Sequence, residues 1–365
     1  MKIKYYTAQQ LETELTKSDL WSSRYCPITR HRALSIIRNP RTLPSDPVLI
    51  VGYHKGEVSG YIAIVPDVLY SGNESVRLGW LGSWWSDPDP SNSMMAVLLL
   101  MKAYKLYNGF VAGFSASQQA EKLIKTSSQF TDFRAAPGYQ YILRFNLGYW
   151  IPRIYPRMRH IAGLIRFTDG VLNLVQNTRL RLWKSSNKMD KNLAIEYLTQ
   201  IYDTDTIEFI KQHNHSQLTR RNHEDINAMI KYPTSLATVL EDKTKSKYFF
   251  STQSNRFLYL LYKILDSSQK IMAVVMICIE GNHLTIPFVF NSKDNDRIVL
   301  TTVLHHIVDM KIDMLTTFHA GLNEELRRMK VPYIYKKKRN RDSLISKKIN
   351  PQPYTDLLMQ DGDGA

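Results

Sequence analysis

Apolar and polar residues alternate from Val76 to Trp85, which predicts a strand. The alternation puts Val76, Leu78, Trp80, Gly82 and Trp84 on one side, and Arg77, Gly79, Leu81, Ser83 and Trp85 on the other. Glycine inside a strand is typical of a bulge or of close approach by a ligand. The polar stretch 86–93 then breaks the strand, and the apolar stretch 94–107 predicts a buried helix. The N-terminus of this helix would be a favourable place for a phosphate group to bind.

The pattern on either side of this unit predicts a mixed α+β domain. Residues 47–53 and 58–66 have the pattern of a hairpin around a glycine-containing turn, and residues 110–115 that of a further strand. Residues 117–130 predict a second helix, and residues 137–147 a closing strand. Strands followed by helix, strand, helix and strand favour a mostly antiparallel sheet flanked by helices.

The second half of the chain repeats this order. The predicted elements are strands at 257–265, 270–279 and 283–290, a polar turn at 291–296, a helix at 297–311, a strand at 314–319, a helix at 321–329 and a strand at 331–335. The repetition predicts two similar domains in tandem.

This order resembles the central half of the GNAT acyltransferase fold. The family's helix pattern N-x-x-A-x-x-L-Y-x-x-x-G-F can be laid on Ser117, Ala120, Leu123, Ile124 and Phe130, and the second copy offers Asn323, Leu326, Met329, Lys330 and Tyr333. The resemblance implies that a bulged strand and the next loop and helix bind the pantetheine and pyrophosphate of an acyl-CoA. A diverging strand would complete the cleft. Ser117 and Ile124 replace the family's asparagine and tyrosine, and residues 87–93 replace its glycine-rich phosphate loop.

Two such domains in one chain are similar to Fem-type aminoacyltransferases and to GNAT proteins of bacterial polysaccharide loci. The resemblance implies a cytoplasmic acyl-CoA-dependent N-acyltransferase that acts on an amine of a sugar or surface-polymer precursor, with acetyl-CoA as co-substrate. One alternative is a Fem-type enzyme that uses aminoacyl-tRNA. The other is an inactive GNAT-like binding protein, because both turns expected to hold pyrophosphate contain acids, Asp87 and Asp89 in one and Asp294 and Asp296 in the other.

The expected cleft lies in the first copy, between the strands at 80–86 and 111–115. Its expected catalytic residues are Asp87, Ser115 and Tyr141, and its expected cofactor-binding residues are Trp84, Trp85, Ser86, Ser91, Asn92, Ser93 and Ser117. The second copy has Pro287 in the equivalent strand, where proline removes a backbone donor.

The composition of the chain indicates which partners and which cellular compartment to expect. The chain has 365 residues, with 48 Lys plus Arg against 33 Asp plus Glu, and its net charge of +15 favours anionic partners. Cys26 and Cys278 predict neither a disulfide framework nor a zinc site. The histidines at 213, 215 and 223 lack a metal-site spacing, so we expect no metal. The absence of a spanning apolar run predicts a cytoplasmic protein.

Two basic segments leave the choice of partner open. Residues 144–191 interleave basic and aromatic side chains, which would suit tRNA, a peripheral membrane contact, or packing between domains. Residues 336–348 are a second basic run. The expected domains are 1–148, a connecting segment at 149–195, a second domain at 196–348, and a flexible tail at 349–365.

Overall fold

The computed structural model describes residues 1–17, 19–89, 94–114, 118–237, 248–250 and 253–363. Two compact units are formed. Unit 1 contains Met1–Ala136, Gln200–Phe257 and Arg341–Ala365, and unit 2 contains Pro137–Thr199 and Leu258–Asn340.

The strands are as follows in chain order: β1 Lys2–Thr7, β2 Pro47–His54, β3 Glu57–Ser71, β4 Glu74–Ser86, β5 Val111–Phe114, β6 Phe130–Ile142, β7 Ala194–Leu198, β8 Leu236–Ala237, β9 Gln253–Ser254, β10 Phe257–Leu265, β11 Ile271–Glu280, β12 His283–Asn291, β13 Met314–Thr317 and β14 Tyr335–Ser346.

The α-helices are α1 Ala8–Leu15, α2 Asp19–Ser22, α3 Arg30–Ile37, α4 Met95–Leu106, α5 Gln118–Thr126, α6 Leu147–Ile154, α7 Ala162–Ser186, α8 Thr204–His213, α9 His223–Lys231, α10 Asp296–Asp309 and α11 Ala320–Arg328. Short 3₁₀ helices cover Pro156–Ile161, Lys293–Asn295 and Gln352–Tyr354. The predicted capping box of α1 is present, with the backbone N–H of Gln10 donating to the hydroxyl of Thr7 at 3.2 Å.

In unit 1 the strands follow the order β1-β2-β3-β4-β5, and then the unit 1 parts of β14 and β6. Neighbouring strands from β1 to β4 are antiparallel, whereas β4 and β5 are parallel. Helix α4 covers one face of this sheet, where Met95 and Leu99 pack on Ile62 and Ile64. This approach depends on Gly60, because a Cβ there would lie 2.6 Å from Cγ of Met95.

The other face of the unit 1 sheet carries two further clusters of buried apolar residues. One includes Leu11, Ile36 and Tyr61, and thus joins α1 and α3 to β3. The second joins Trp80 to residues after β14, including Tyr354 and other side chains of the C-terminal segment. The sheet is therefore covered on both faces, which is why its strands read as nearly continuous apolar runs.

In unit 2 the strands follow the order β6-β13-β12-β11-β10-β7, of which β12 and β13 are parallel. Helix α10 connects that parallel pair, and its buried residues Val299, Leu300 and Val303 join a core that includes Val275 and Leu284. Helices α7 and α11 also contribute to this core.

The α+β class with mixed sheets and flanking helices is confirmed. Several element boundaries differ from expectation. Residues 335–346 form β14, although its basic residues 337–339 are exposed, and β6 begins already at Phe130. Among the described residues no helix combines the length and apolarity needed to cross a membrane.

The compact units also divide the chain elsewhere than the expected domains. Residues 200–257 belong to unit 1, and residues 349–363 pack there, with Tyr354, Met359 and Asp363 buried. The expected flexible tail is therefore wrong for 349–363, because these side chains fill one of the apolar clusters and a buried charge network.

Candidate active site

A β-bulge interrupts β4 at the glycine-containing stretch that the sequence singled out. Ala63 of β3 pairs with Gly82 and Tyr61 pairs with Trp85, so two residues of β4 lie opposite Ile62. Ser83 is one of the two, and its φ of 45° lies in the left-handed region. The bulge re-aims every side chain that follows it on β4.

The bulge lies immediately beyond the paired part of β4 and β5. The register runs from Gly79 opposite Val111 to Leu81 opposite Gly113, and among the described residues no further pair follows. Because β4 continues to Ser86, its later residues extend past this parallel pair. Strand N–H and C=O groups that lack a neighbouring strand can bind a ligand.

Two glycines at this point would each accept a Cβ without a close contact among the described residues. A Cβ built on Gly82 would meet only the backbone oxygen of Ala63, at 4.0 Å, and one on Gly113 would approach Leu81 no closer than 3.8 Å among described atoms. At Gly79, by contrast, a Cβ would come within 2.5 Å of Ile64. Gly79 is thus required for packing. Gly82 and Gly113 instead leave room for a ligand to approach the strands.

Aromatic side chains line the strand after the bulge. Trp85 stacks on Phe249 with ring centroids 4.5 Å apart and contacts Tyr25 at 4.8 Å. The Tyr248 hydroxyl donates a hydrogen bond to the hydroxyl of Ser83 at 3.1 Å. Burial raises the pKa of Tyr248, so this phenol remains protonated at neutral pH. Trp85, expected to bind the cofactor, therefore lies within a packed aromatic wall.

The other expected residues of this region occupy different environments. Trp84 packs on the α4 side, and its Nε1 is buried without a hydrogen-bond partner among the described residues. Ser86 ends β4 opposite Gly60. The backbone N–H of Asp87 donates to Ser59 at 2.9 Å, while its carboxylate accepts from the N–H of Asp89 at 3.2 Å.

Five of the expected site residues lie outside the described part of the chain. They are Ser91, Asn92, Ser93, Ser115 and Ser117. Their assignment to phosphate binding or catalysis stays a prediction.

Tyr141 lies in unit 2 and is 1% exposed. Its hydroxyl donates to Oδ1 of Asn323 at 3.3 Å, and burial raises its pKa to about 12. The ammonium group of Lys336 lies over its ring, 5.4 Å from the centroid. Because Tyr141 lies in unit 2, not in the first-domain cleft where it was expected, we leave it out of a site built on β4 and β5.

Sequence reasoning missed a buried charge network beneath Trp80. The carboxylate of Asp67 in β3 is fully buried and accepts from Arg41 and Arg221, both at 2.6 Å, and from Nε1 of Trp80 at 2.9 Å. Asp225 accepts from Arg41 as well. Burial alone would lower the pKa of Arg41, but the two aspartates outweigh it and raise that pKa. The hydrogen bond from Trp80 holds β4 against this network just before the bulge.

The only local signal for this network is the spacing of Arg221 and Asp225, four residues apart. Asp363 and Asp67 are distant in sequence, and nothing in the sequence connects them. Burial raises the pKa of Asp363, whose carboxylate accepts from the hydroxyl of Thr219.

Unit 2 also has a parallel pair of strands joined by a helix. His283 to Thr285 of β12 pair with Met314 to Thr316 of β13. At the N-terminus of α10 the carboxylate of Asp296 is buried and accepts from Nδ2 of Asn291 at 2.9 Å. A Cβ on Gly321 would overlap this carboxylate. The chain's own carboxylate thus occupies the helix N-terminus at which phosphate was expected.

The basic segments are partly used in folding. The guanidinium of Arg144 is buried and donates to the backbone oxygen of Ile307 at the C-terminal end of α10. Arg341 donates to the backbone oxygens of Gln360 and Asp361, each at 3.0 Å. These two arginines therefore do not contribute to an exposed basic surface.

No family model and no curated protein matches this sequence. A crystal structure of a conserved protein of unknown function from Enterococcus faecalis V583, described as a probable N-acyltransferase, is 9% identical and aligns over 94% of this chain and 72% of that chain, with a TM-score of 0.52. GCN5-related N-acetyltransferases from Anabaena variabilis ATCC 29413 (13% identity, covering 94% of this chain and 72% of that chain) and Kribbella flavida (9% identity, covering 94% and 71%) reach TM-scores of 0.48 and 0.49. The comparison with the Enterococcus protein shows that this chain has the fold of a structure described as a probable N-acyltransferase.

Proposed function

We propose that the protein is an acyl-CoA-dependent N-acyltransferase whose transfer site lies in unit 1, where β4 and β5 stop pairing. The observation that supports this most directly is the bulge at Ser83 beside two glycines with open space, Gly82 and Gly113. The shared fold with a probable N-acyltransferase is consistent with the proposal.

The described residues fit the acyl end of such a co-substrate. The space beside Gly82 and Gly113 would admit a narrow chain along the backbone, and N–H groups of β4 would polarise an acyl carbonyl. When bound, the thioester supplies an activated acyl group. Nε1 of Trp84 is a further donor close to this strand.

The transfer requires two proton movements, and we assign one side chain to each. An amine must lose a proton as its nitrogen bonds to the acyl carbon, and we assign the carboxylate of Asp87 as the acceptor. The sulfur that leaves must gain a proton, and we assign the hydroxyl of Tyr248, which is protonated at neutral pH, as the donor. In this scheme Ser83, which accepts from Tyr248, is a positioning residue.

The choice of unit 1 also follows from the second copy. Asp296 places a negative charge at the start of α10, beside Gly321. A pyrophosphate at that place would meet a buried carboxylate. We therefore assign unit 2 a structural role and not a second transfer site.

For the acceptor we propose an amine of a sugar or surface-polymer precursor, with acetyl-CoA as donor. The aminoacyl-tRNA alternative requires an exposed basic surface, and it predicts binding to tRNA that weakens steeply with salt. The inactive alternative is favoured by Asp87 and Asp89, whose charges would oppose a pyrophosphate nearby.

Calorimetric titration with acetyl-CoA and longer acyl-CoAs tests the proposal, with Gly82→Val as the critical variant. A side chain at Gly82 can begin without a clash, because its Cβ meets only the backbone oxygen of Ala63, at 4.0 Å, among the described residues, and valine would fill the space proposed for the ligand. We expect the variant to lose acyl-CoA binding while its urea midpoint stays near that of the parent protein.

Gly170→Val is the matched control, because a Cβ there meets no atom within 4 Å and the residue lies in α7 of unit 2. The control should bind as the parent does. Absence of binding by the parent to every acyl-CoA tested, or undiminished binding by Gly82→Val, would overturn the proposed site. Turnover in the absence of acyl-CoA but with aminoacyl-tRNA would favour the alternative.

A further inference from the structure

Helix α7 has an apolar face that points away from the body of unit 2. Five large apolar residues of this helix are more than 60% exposed: Leu164 (66%), Phe167 (70%), Leu174 (71%), Val175 (61%) and Leu182 (64%). At about 100° per residue these positions lie on one side of an α-helix. Together with Val171 we call them the α7 stripe.

The opposite side of α7 is held against unit 2. Leu180 and Trp183 are buried, and Nε1 of Trp183 donates to the backbone oxygen of Met329 at 3.0 Å. The side chain of Asn173 exchanges two hydrogen bonds of 2.8 Å with the backbone of Phe145. These bonds fix the rotation of α7 about its axis, so the stripe stays on the outer side of the helix.

The stripe continues into the preceding segment. Trp150 and Ile154 of α6, and Tyr155 directly after it, are exposed by 46%, 64% and 61%. Asp169 of α7 accepts the backbone N–H groups of Leu147 and Gly148 at 3.0 and 2.7 Å. This carboxylate therefore holds the start of α6 against α7. The two helices thus support each other while their apolar side chains remain exposed.

The charged residues of α6, α7 and the segment between them are nearly all basic. Between 147 and 186 the sequence contains seven Lys and Arg residues, namely Arg153, Arg157, Arg159, Arg166, Arg179, Arg181 and Lys184. Asp169 is the single acidic residue in that range, and it is buried at the N-terminus of α6. Arg157, Arg159, Arg166 and Arg181 are exposed. Lys184 is paired with Asp309 at 2.5 Å, but the exposed arginines offer positive charge to an anionic partner.

We propose that the α6–α7 surface binds the face of an anionic lipid bilayer. Exposed leucine, valine and phenylalanine on one side of a long helix, arginines beside them, and nearby tryptophan and tyrosine are the features of a helix that lies in a membrane interface. The stripe would enter the acyl boundary, and the arginines would contact lipid phosphates. A protein partner would need acidic residues around an apolar groove, and a second copy would bring the same positive charges together. Charge complementarity therefore favours the anionic bilayer.

The inference is independent of the proposed transferase activity, because it concerns another surface and needs no substrate. The test is co-sedimentation of the full-length protein with vesicles of phosphatidylcholine alone and of phosphatidylcholine with phosphatidylglycerol. We expect binding to the anionic vesicles that weakens by on the order of tenfold on neutral vesicles or in high salt.

The double variant Phe167→Glu/Leu174→Glu should lose vesicle binding. Both side chains are at least 70% exposed, so the urea midpoint should not change. Leu43→Glu is the control, since Leu43 is 48% exposed in unit 1 and receives the same Leu-to-Glu change. Arg166→Gln with Arg181→Gln should reduce the preference for anionic vesicles while keeping the stripe.

Failure of the parent to bind either vesicle would overturn the proposal, and so would equal binding by the Phe167→Glu/Leu174→Glu variant. Sedimentation equilibrium identifies the competing occupant. If the parent forms dimers that this variant does not form, and vesicles do not compete with dimerisation, the stripe is a self-association surface and the lipid proposal is wrong.

Discussion

Removing the charge of Asp67 should destabilise unit 1 strongly. Asp67→Asn keeps the shape of the side chain but deprives Arg41 and Arg221 of a carboxylate to which each donates at 2.6 Å. The site is fully buried, so water cannot replace the lost partner. Breaking a buried ion pair from one side costs about 3–5 kcal/mol.

That loss is a large share of the roughly 5–15 kcal/mol by which folded proteins exceed their unfolded states. For a urea m-value near 3 kcal/mol/M, the midpoint should fall by about 1–2 M. Tryptophan fluorescence reports mainly on unit 1, which contains Trp21, Trp80, Trp84 and Trp85 of the six tryptophans.

The control is Glu324→Gln in unit 2. Glu324 pairs with Arg328, but their side chains are 52% and 65% exposed, so its loss should cost less than about 1 kcal/mol. If Asp67→Asn shifts the midpoint no more than this control does, Asp67 is not held as a charged partner, and our account of the network fails.

Three further outcomes are expected. Burial lowers the pKa of His283 to about 4 in the folded protein, whereas its pKa in the unfolded chain is about 6.5. The unfolded chain therefore binds the proton first, and the stability of the protein should fall as the pH drops from about 6.5 to 4. The urea midpoint of His283→Gln should fall less over the same pH range. Gly321→Ala should destabilise the protein by about 1–3 kcal/mol in urea, because its Cβ overlaps the Asp296 carboxylate; an unchanged midpoint would contradict that contact. Tyr248→Phe should lower kcat for acyl transfer more than it raises KM, at a cost of about 1 kcal/mol in stability from the lost bond to Ser83; full activity would remove Tyr248 from the mechanism.

Local pattern was enough to predict most of the β4–α4 unit. The predicted strand, helix and following strand correspond to Glu74–Ser86, Met95–Leu106 and Val111–Phe114. These elements are set by side-chain periodicity and by breaking residues, which are properties of neighbours in sequence. The glycines also indicated a bulge, because few other residues tolerate such close approach of a backbone.

The facing of the tryptophans could not be predicted in the same way. Simple alternation puts Trp80 and Trp84 on one side, whereas the bulge at Ser83 sends Trp84 toward α4 and leaves Trp80 on Asp67. Alternation assigns side chains to the two faces of the sheet in turn, and one additional residue in the strand moves every later side chain to the opposite face. The bulge's place is decided by pairing with β3, which local sequence does not show.

The candidate site also has features that the sequence predicts and features that only the tertiary structure shows. The sequence by itself determined the strand, its glycines, the acidic turn and the absence of a glycine-rich phosphate loop, because each is a feature of consecutive residues. Only the tertiary structure brought Tyr248 to Ser83 and Arg221 to Asp67, 165 and 154 residues apart in sequence. It likewise decided that the apolar face of α7 points outward, since periodicity reveals that a helix has an apolar side but not which side the rest of the fold will cover.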